Sequence, residues 1–204
     1  LYVLLALLAI FAFADGQVRR AALLTALAVQ ARYSGIILAL LLITVLLANS
    51  GLAWPRRRRY ALLFGANVFL PLSLWVVHNL TAVGWAFGPR YPSNMPLGES
   101  LRWSVHWTLA WFIPESLLVA MPEVARLVLL AGLFASVVWL TRRMAAARLL
   151  AWFALAHVAL VVIMPAFSAM EGPNPRLLAP AYLSFVLAAC AAGGSLLERA
   201  RTGI

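Results

Sequence analysis

Long apolar runs with almost no charge constrain this chain more than any other feature. Residues 149–166 (LLAWFALAHVALVVIMPA) and 177–197 (LLAPAYLSFVLAACAAGGSLL) hold no formal charge, and 124–140 hold a single arginine, Arg126. Each approaches the ~20 apolar residues that cross a bilayer. A bilayer core offers no water to backbone N–H and C=O groups, so only helices or closed barrels cross it. Over the whole chain 65% of residues are apolar and 11% charged, against about a quarter charged in a soluble domain. Mean hydropathy is +0.95. The expected fold class is all-α: a polytopic transmembrane helical bundle with short broken helices and an outer-face interfacial helix.

Charge sets the expected topology. All 16 basic residues are arginine, and the formal net charge is +10. In a soluble protein that excess would suggest nucleic acid; in an apolar chain it reads as topology, because cytoplasmic loops collect arginine and lysine. No nucleic-acid partner is therefore expected, and the lipid bilayer is. Spans are predicted at about 1–13, 60–77, 124–140, 149–166 and 177–197. Residues 21–31 and 35–49 form a short re-entrant-like pair, and 80–121 an outer loop. This arrangement places Arg19, Arg20, Arg56 to Arg59, Arg142, Arg143, Arg148, Arg199 and Arg201 inside, eleven of the 16. Leu1 opens within an apolar run that has no basic flank, so 1–13 is expected to be the stub of a span from a longer protein, the rest of which lies upstream.

Within this frame, the pair 21–31 and 35–49 has too few residues to cross and return between Arg20 and Arg56. Each leg has about 16 residues, or ~24 Å at 1.5 Å per residue. The turn at Arg32-Tyr33-Ser34-Gly35 is thus expected at membrane depth, where non-helical backbone needs protein or a watery cleft around it. Pro71 marks a kink in 60–77, which delivers His78 and Asn79 to the outer face. Trp103, Trp107 and Trp111 fall at i, i+4 and i+8, one side of a helix over 101–113 lying in the interface.

Five arginines remain outside: Arg32, Arg90, Arg102, Arg126 and Arg176. Arg32, Arg90 and Arg176 each lie close to a glycine or proline at an outer turn. A guanidinium offers a planar fork of donors that matches phosphate oxygens, so the three together would suit a lipid phosphate; separately, each would snorkel to headgroups. Arg102 and Arg126 read as interfacial anchors. Glu99, Glu115, Glu123 and Glu171 are outer carboxylates whose spacing establishes no acid–base pair. His78, His106 and His157 lack ligand spacing, and Cys190 is the only cysteine, so neither a metal site nor a disulfide framework is expected. His157 reads as a hydrogen-bonded core histidine. His78 is balanced between ligand contact and interface packing. Asn79-Leu80-Thr81 matches a glycosylation acceptor but abuts the membrane. No phosphate-binding loop or nucleophile elbow is present, and no cofactor is expected.

Three pieces, in order, resemble the membrane glycosyltransferases of the GT-C superfamily, closest to bacterial relatives of protein O-mannosyltransferase and lipid A aminoarabinose transferase. The first is Ala31-Arg32-Tyr33-Ser34-Gly35 between two short apolar helices. The second is Trp75, Asn79, Gly84, Gly88, Arg90 and Tyr91-Pro92-Ser93, similar to a "W..RN...TG...G.R.PS" signature, with His78 where relatives often carry arginine. The third is Asn174-Pro175-Arg176-Leu177-Leu178-Ala179-Pro180, similar to an "N.R...P" opening of a late span. The resemblance implies transfer of a sugar, with inversion, from a polyprenyl-phosphate donor to an acceptor at the outer, periplasmic face of the bacterial inner membrane. It implies that Arg32, Arg90 and Arg176 touch the donor phosphate, and that Tyr33, His78, Asn79 and Asn174 shape the cleft. The general base, a carboxylate of the first outer loop, would lie upstream of Leu1, so this chain is expected to be the C-terminal portion. Sugar and acceptor stay open. The alternatives are a transporter or flippase of an anionic lipid-linked substrate, which should show two related halves, and a non-catalytic membrane scaffold.

Overall fold

The structure is a computed structural model that describes residues 1–86, 95–142, 144–167 and 173–202. Among the described residues every regular element is helical. The chain divides into two units, residues 1–90 and 91–204.

The first unit holds α1 (Tyr2–Ala14), α2 (Val18–Ala31), α3 (Gly35–Ala48) and α4 (Trp54–Val83). Helix α2 packs against the other three. Its buried face is Ala21, Ala22, Thr25, Ala26, Ala28 and Val29, and α1 buries Ala6, Ala9 and Ala12. In these two helices leucines point outward, Leu4 58% and Leu23 61% exposed, while α3 and α4 bury Leu38, Leu42 and Phe64. A water-soluble core would bury those leucines. In lipid there is little gain in doing so, and small residues let helix backbones approach closely instead. The inversion marks a membrane bundle.

At 30 residues, α4 is longer than the predicted 60–77 at both ends. It rises about 45 Å, beyond the ~30 Å hydrocarbon core, so its ends stand outside the apolar layer. The arginines at its start are therefore helical. Arg57 turns back, its Nε donating to the carbonyl of Leu52 at 2.6 Å and Nη1 to that of Leu47 at 3.4 Å, so a cation sits at the C-terminal end of α3, where the helix dipole favours it. Arg56, Arg58 and Arg59 are exposed. Helix α4 runs on through Pro71 and past His78 and Asn79. It stops at Gly84, whose φ of 75° supplies the left-handed cap while its N–H bonds the carbonyl of Leu80 at 3.1 Å.

The second unit holds α5 (Leu97–Leu109), α6 (Glu115–Ala120), α7 (Glu123–Thr141), α8 (Ala145–Phe167) and α9 (Pro175–Thr202). The region expected as an outer loop, 80–121, thus carries the end of α4 and two further helices. Helix α5 starts four residues before the predicted 101, because Pro96 caps it and Glu99 complements its first turn. It ends at Leu109, so Trp111 does not share a helix with Trp103 and Trp107. The rings of Trp103 and Trp107 stack at 6.4 Å, whereas Trp111 lies 4.9 Å from Tyr182 of α9. Helix α5 packs on α7, α8 and α9, burying Ser100, Ser104, Val105, His106, Thr108 and Leu109.

Two prolines sit inside the long helices of this unit, Pro165 in α8 and Pro180 in α9. Proline removes the N–H that would bond the carbonyl four residues before it, and the bend its ring forces weakens the bond to the carbonyl three residues before it as well. In both helices the carbonyl three residues before the proline has a donor from a neighbouring helix. Ser100 Oγ of α5 donates to Val162 O at 2.7 Å, and His157 Nε2 of α8 lies 3.1 Å from Leu177 O. Neighbouring side chains that satisfy such groups are what make proline tolerable inside membrane helices.

Four helices, α4, α7, α8 and α9, are long and apolar enough to cross a membrane. This is a multi-pass membrane protein.

Candidate functional site

The turn between α2 and α3 is built around Arg32. Its backbone is extended (φ −161°, ψ 128°), its N–H closes on Ala28 O at 2.9 Å, and its carbonyl accepts the N–H of Gly35 at 2.8 Å. Gly35 is what lets the turn close so tightly. A Cβ there would lie 2.8 Å from Val29 N and 2.9 Å from Ala28 C, inside any normal contact distance. Arg32 is half-buried, beside Ser34 and the buried Tyr2 of α1.

Tyr33 reaches α4. Its ring centroid lies 5.3 Å from that of Trp75, tilted at 55°, an arrangement common for aromatic pairs. The structure therefore joins two of the sequence pieces, the Arg32–Gly35 turn and the Trp75 segment. His78, three residues on, is exposed, and Asn79 is half-buried with its Nδ2 donating to Ala86 O at 3.4 Å. Both belong to the last turns of α4 rather than to a loop. The glycine-rich stretch is polar enough to suggest a break at 78, but Leu80, Ala82 and Val83 continue the helix until a residue with positive φ is reached.

Arg176 is exposed in the first turn of α9, in the second unit. Asn174 stands immediately before that helix. Its Oδ1 accepts the N–H of Leu177 at 3.0 Å and its carbonyl that of Leu178 at 3.2 Å. This is an N-cap, with Pro175 at the first helical position. The Asn-Pro-Arg sequence thus has a local reason: it starts a helix and fixes where Arg176 leaves it. Arg90 lies outside the described residues, as does Glu171.

The histidines have distinct surroundings. His157 is buried, with its ring 5.7 Å from Phe153. A carbonyl only accepts, so Nε2 carries a proton. His106 is wedged between Trp103 and Trp107, at 6.0 and 5.2 Å, with Glu115 Oε1 4.0 Å from its Nε2. Among the described residues no three His, Cys, Asp or Glu side chains come together as a metal site.

One further cluster emerges only in three dimensions. A notch of about 90 Å³ between α5 and the start of α7 is lined by Gly98, Arg102, Glu123 and Arg126. From sequence Arg102 and Arg126 are separate interfacial anchors; in the structure they share one concavity. Pro122-Glu123, a helix-opening pair, is the available signal for where α7 begins.

The chain matches no protein-family model, no curated protein and no solved structure.

Proposed function

We propose that this multi-pass membrane protein is part of a glycosyltransferase that takes a sugar from a polyprenyl-phosphate donor. The observation that carries the reading is the Tyr33–Trp75 contact at 5.3 Å, which sets a half-buried arginine turn against the segment bearing His78 and Asn79. Arg32 supplies donors for the donor phosphate, and Tyr33 and Trp75 supply aromatic surface for prenyl or sugar. From the sequence resemblance alone, Arg90 and Arg176 are further candidates for donor-phosphate contact, Asn174 holds Arg176 at the start of α9, and transfer is assigned to the outer face of a bacterial inner membrane. Arginine donors aimed at a departing phosphate stabilise charge as the glycosidic bond breaks. The acceptor's proton goes to a carboxylate base.

The transporter reading requires two related halves. Among the described residues the helices run 13, 14, 14 and 30 residues in the first unit and 13, 6, 19, 23 and 28 in the second, lengths that do not repeat.

Photolabelling with a diazirine-bearing polyprenyl phosphate in native membranes tests the donor site. Arg32→Ala should lower labelling about tenfold, the loss expected for one charged hydrogen-bonded contact. Equal labelling of wild type and Arg32→Ala at matched protein levels would sink the assignment.

A further inference from the structure

The notch between α5 and the first turn of α7 has the chemistry of an anion site. Arg102 Nη1 is already 3.5 Å from Glu123 Oε1. Arg126 is not so served: its Nε is shut off from solvent and, among the described residues, has no acceptor. A guanidinium N–H in that state is costly, and the half-buried Arg126 side chain lines the notch, which has room for an acceptor. The lining thus carries two arginines and one carboxylate, one positive charge in excess. Gly98 also lines the notch, and nothing lies within 4 Å of where its Cβ would be.

The position points to the source of that anion. Helix α7 is a candidate span of 19 residues, about 28 Å at 1.5 Å per residue, so crossing the ~30 Å hydrocarbon layer uses its whole length. Its first turn, with Glu123 and Arg126, then lies at the level of lipid phosphates. Leu101 and Leu127, which also line the notch, are 38% and 41% exposed and offer apolar surface to acyl chains. Arginine matches phosphate oxygens with paired donors.

We propose that this notch binds the phosphate of an anionic membrane lipid, with Arg126 as the main donor and Arg102 beside it. The site is independent of the donor site described above, and neither its arginines nor its helices are used there.

The test uses the whole chain, purified in detergent and stripped of lipid, with dioleoyl phosphatidic acid as the probe and native mass spectrometry as the readout. Wild type should retain one lipid in preference to a neutral diacylglycerol. Arg126→Gln should weaken retention about tenfold. Gly98→Phe, which fills the notch without changing charge, should weaken it similarly, while Arg58→Gln, which removes an exposed arginine elsewhere, should not. Unchanged retention in both Arg126→Gln and Gly98→Phe overturns the proposal. So does displacement of the lipid by inorganic phosphate at equal concentration, which would assign the notch to a free anion.

Discussion

His157 Nε2 lies 3.1 Å from the carbonyl oxygen of Leu177, three residues ahead of Pro180. The contact crosses from α8 to α9, the most closely associated pair of the second unit. It gives the buried histidine a structural role, because the ring donates to a carbonyl in the turn that proline disturbs. Replacing it by Phe keeps ring volume and removes the donor. His157→Phe should lower stability by about 1–3 kcal/mol, the cost of a buried group left unpaired. Pro180→Ala gives an N–H back to the Arg176 carbonyl and removes the ring that bends the turn, so the N–H of Ala181 can close on Leu177 O without help. The pair of substitutions should therefore cost less than the sum of the two singles, as read by thermal melting in detergent. Strict additivity would show that histidine and proline are not coupled.

Ser100 repeats the arrangement with Val162 and Pro165. Ser100→Ala should cost about 1 kcal/mol. Ser136, whose Oγ donates to the carbonyl of Gly132 within its own helix from an exposed position, is the contrast. Ser136→Ala should melt with the wild type.

Gly35 is set by the backbone of the preceding helix. A methyl group 2.8 Å from Val29 N cannot be relieved by rotating a side chain, so α3 must move away from α2. Overpacking of this kind costs about 1–3 kcal/mol. Gly35→Ala should lower the melting midpoint and loosen the Tyr33–Trp75 contact, seen as a shift in tryptophan fluorescence. Gly132→Ala meets nothing within 4 Å and should leave both unchanged.

Arg57 differs from its neighbours. It alone of Arg56–Arg59 is half-buried, bonding two carbonyls at the join of α3 and α4. Arg57→Gln should destabilise by about 1.5–3 kcal/mol, the range for hydrogen bonds to a charged group. Arg58→Gln should be neutral. Equal effects of the two would mean that only total charge matters there.

The helical membrane class is legible in the sequence because 149–166 and 177–197 hold no charge, and a bilayer leaves such runs little choice of structure. Helix ends are less so. His78-Asn79 resembles a loop because asparagine, threonine and glycine cluster there, yet only Gly84 has the backbone freedom that stops a helix. The Trp103–Trp107–Trp111 spacing suits one helix, but periodicity does not register the turn after Leu109 that sends Trp111 to Tyr182. The contacts that carry the site are not legible at all. Tyr33 and Trp75 meet because α2, α3 and α4 pack with a given rotation, and His157 meets Leu177 for the same reason. The resemblance makes Asn174 a cleft residue; its first role, capping α9, is visible in Asn-Pro-Arg as a helix start.

The assignment of Arg176 to the donor phosphate meets its most direct test in sugar transfer. Membranes would be prepared from cells carrying Arg176→Ala in the native gene, with protein matched to wild type by immunoblot. Transfer of radiolabelled sugar from polyprenyl-phosphate donor to membrane acceptors would then be followed. Transfer should fall to about a tenth of wild type or less, the loss of one charged contact to the leaving phosphate. Transfer at the wild-type rate would contradict it.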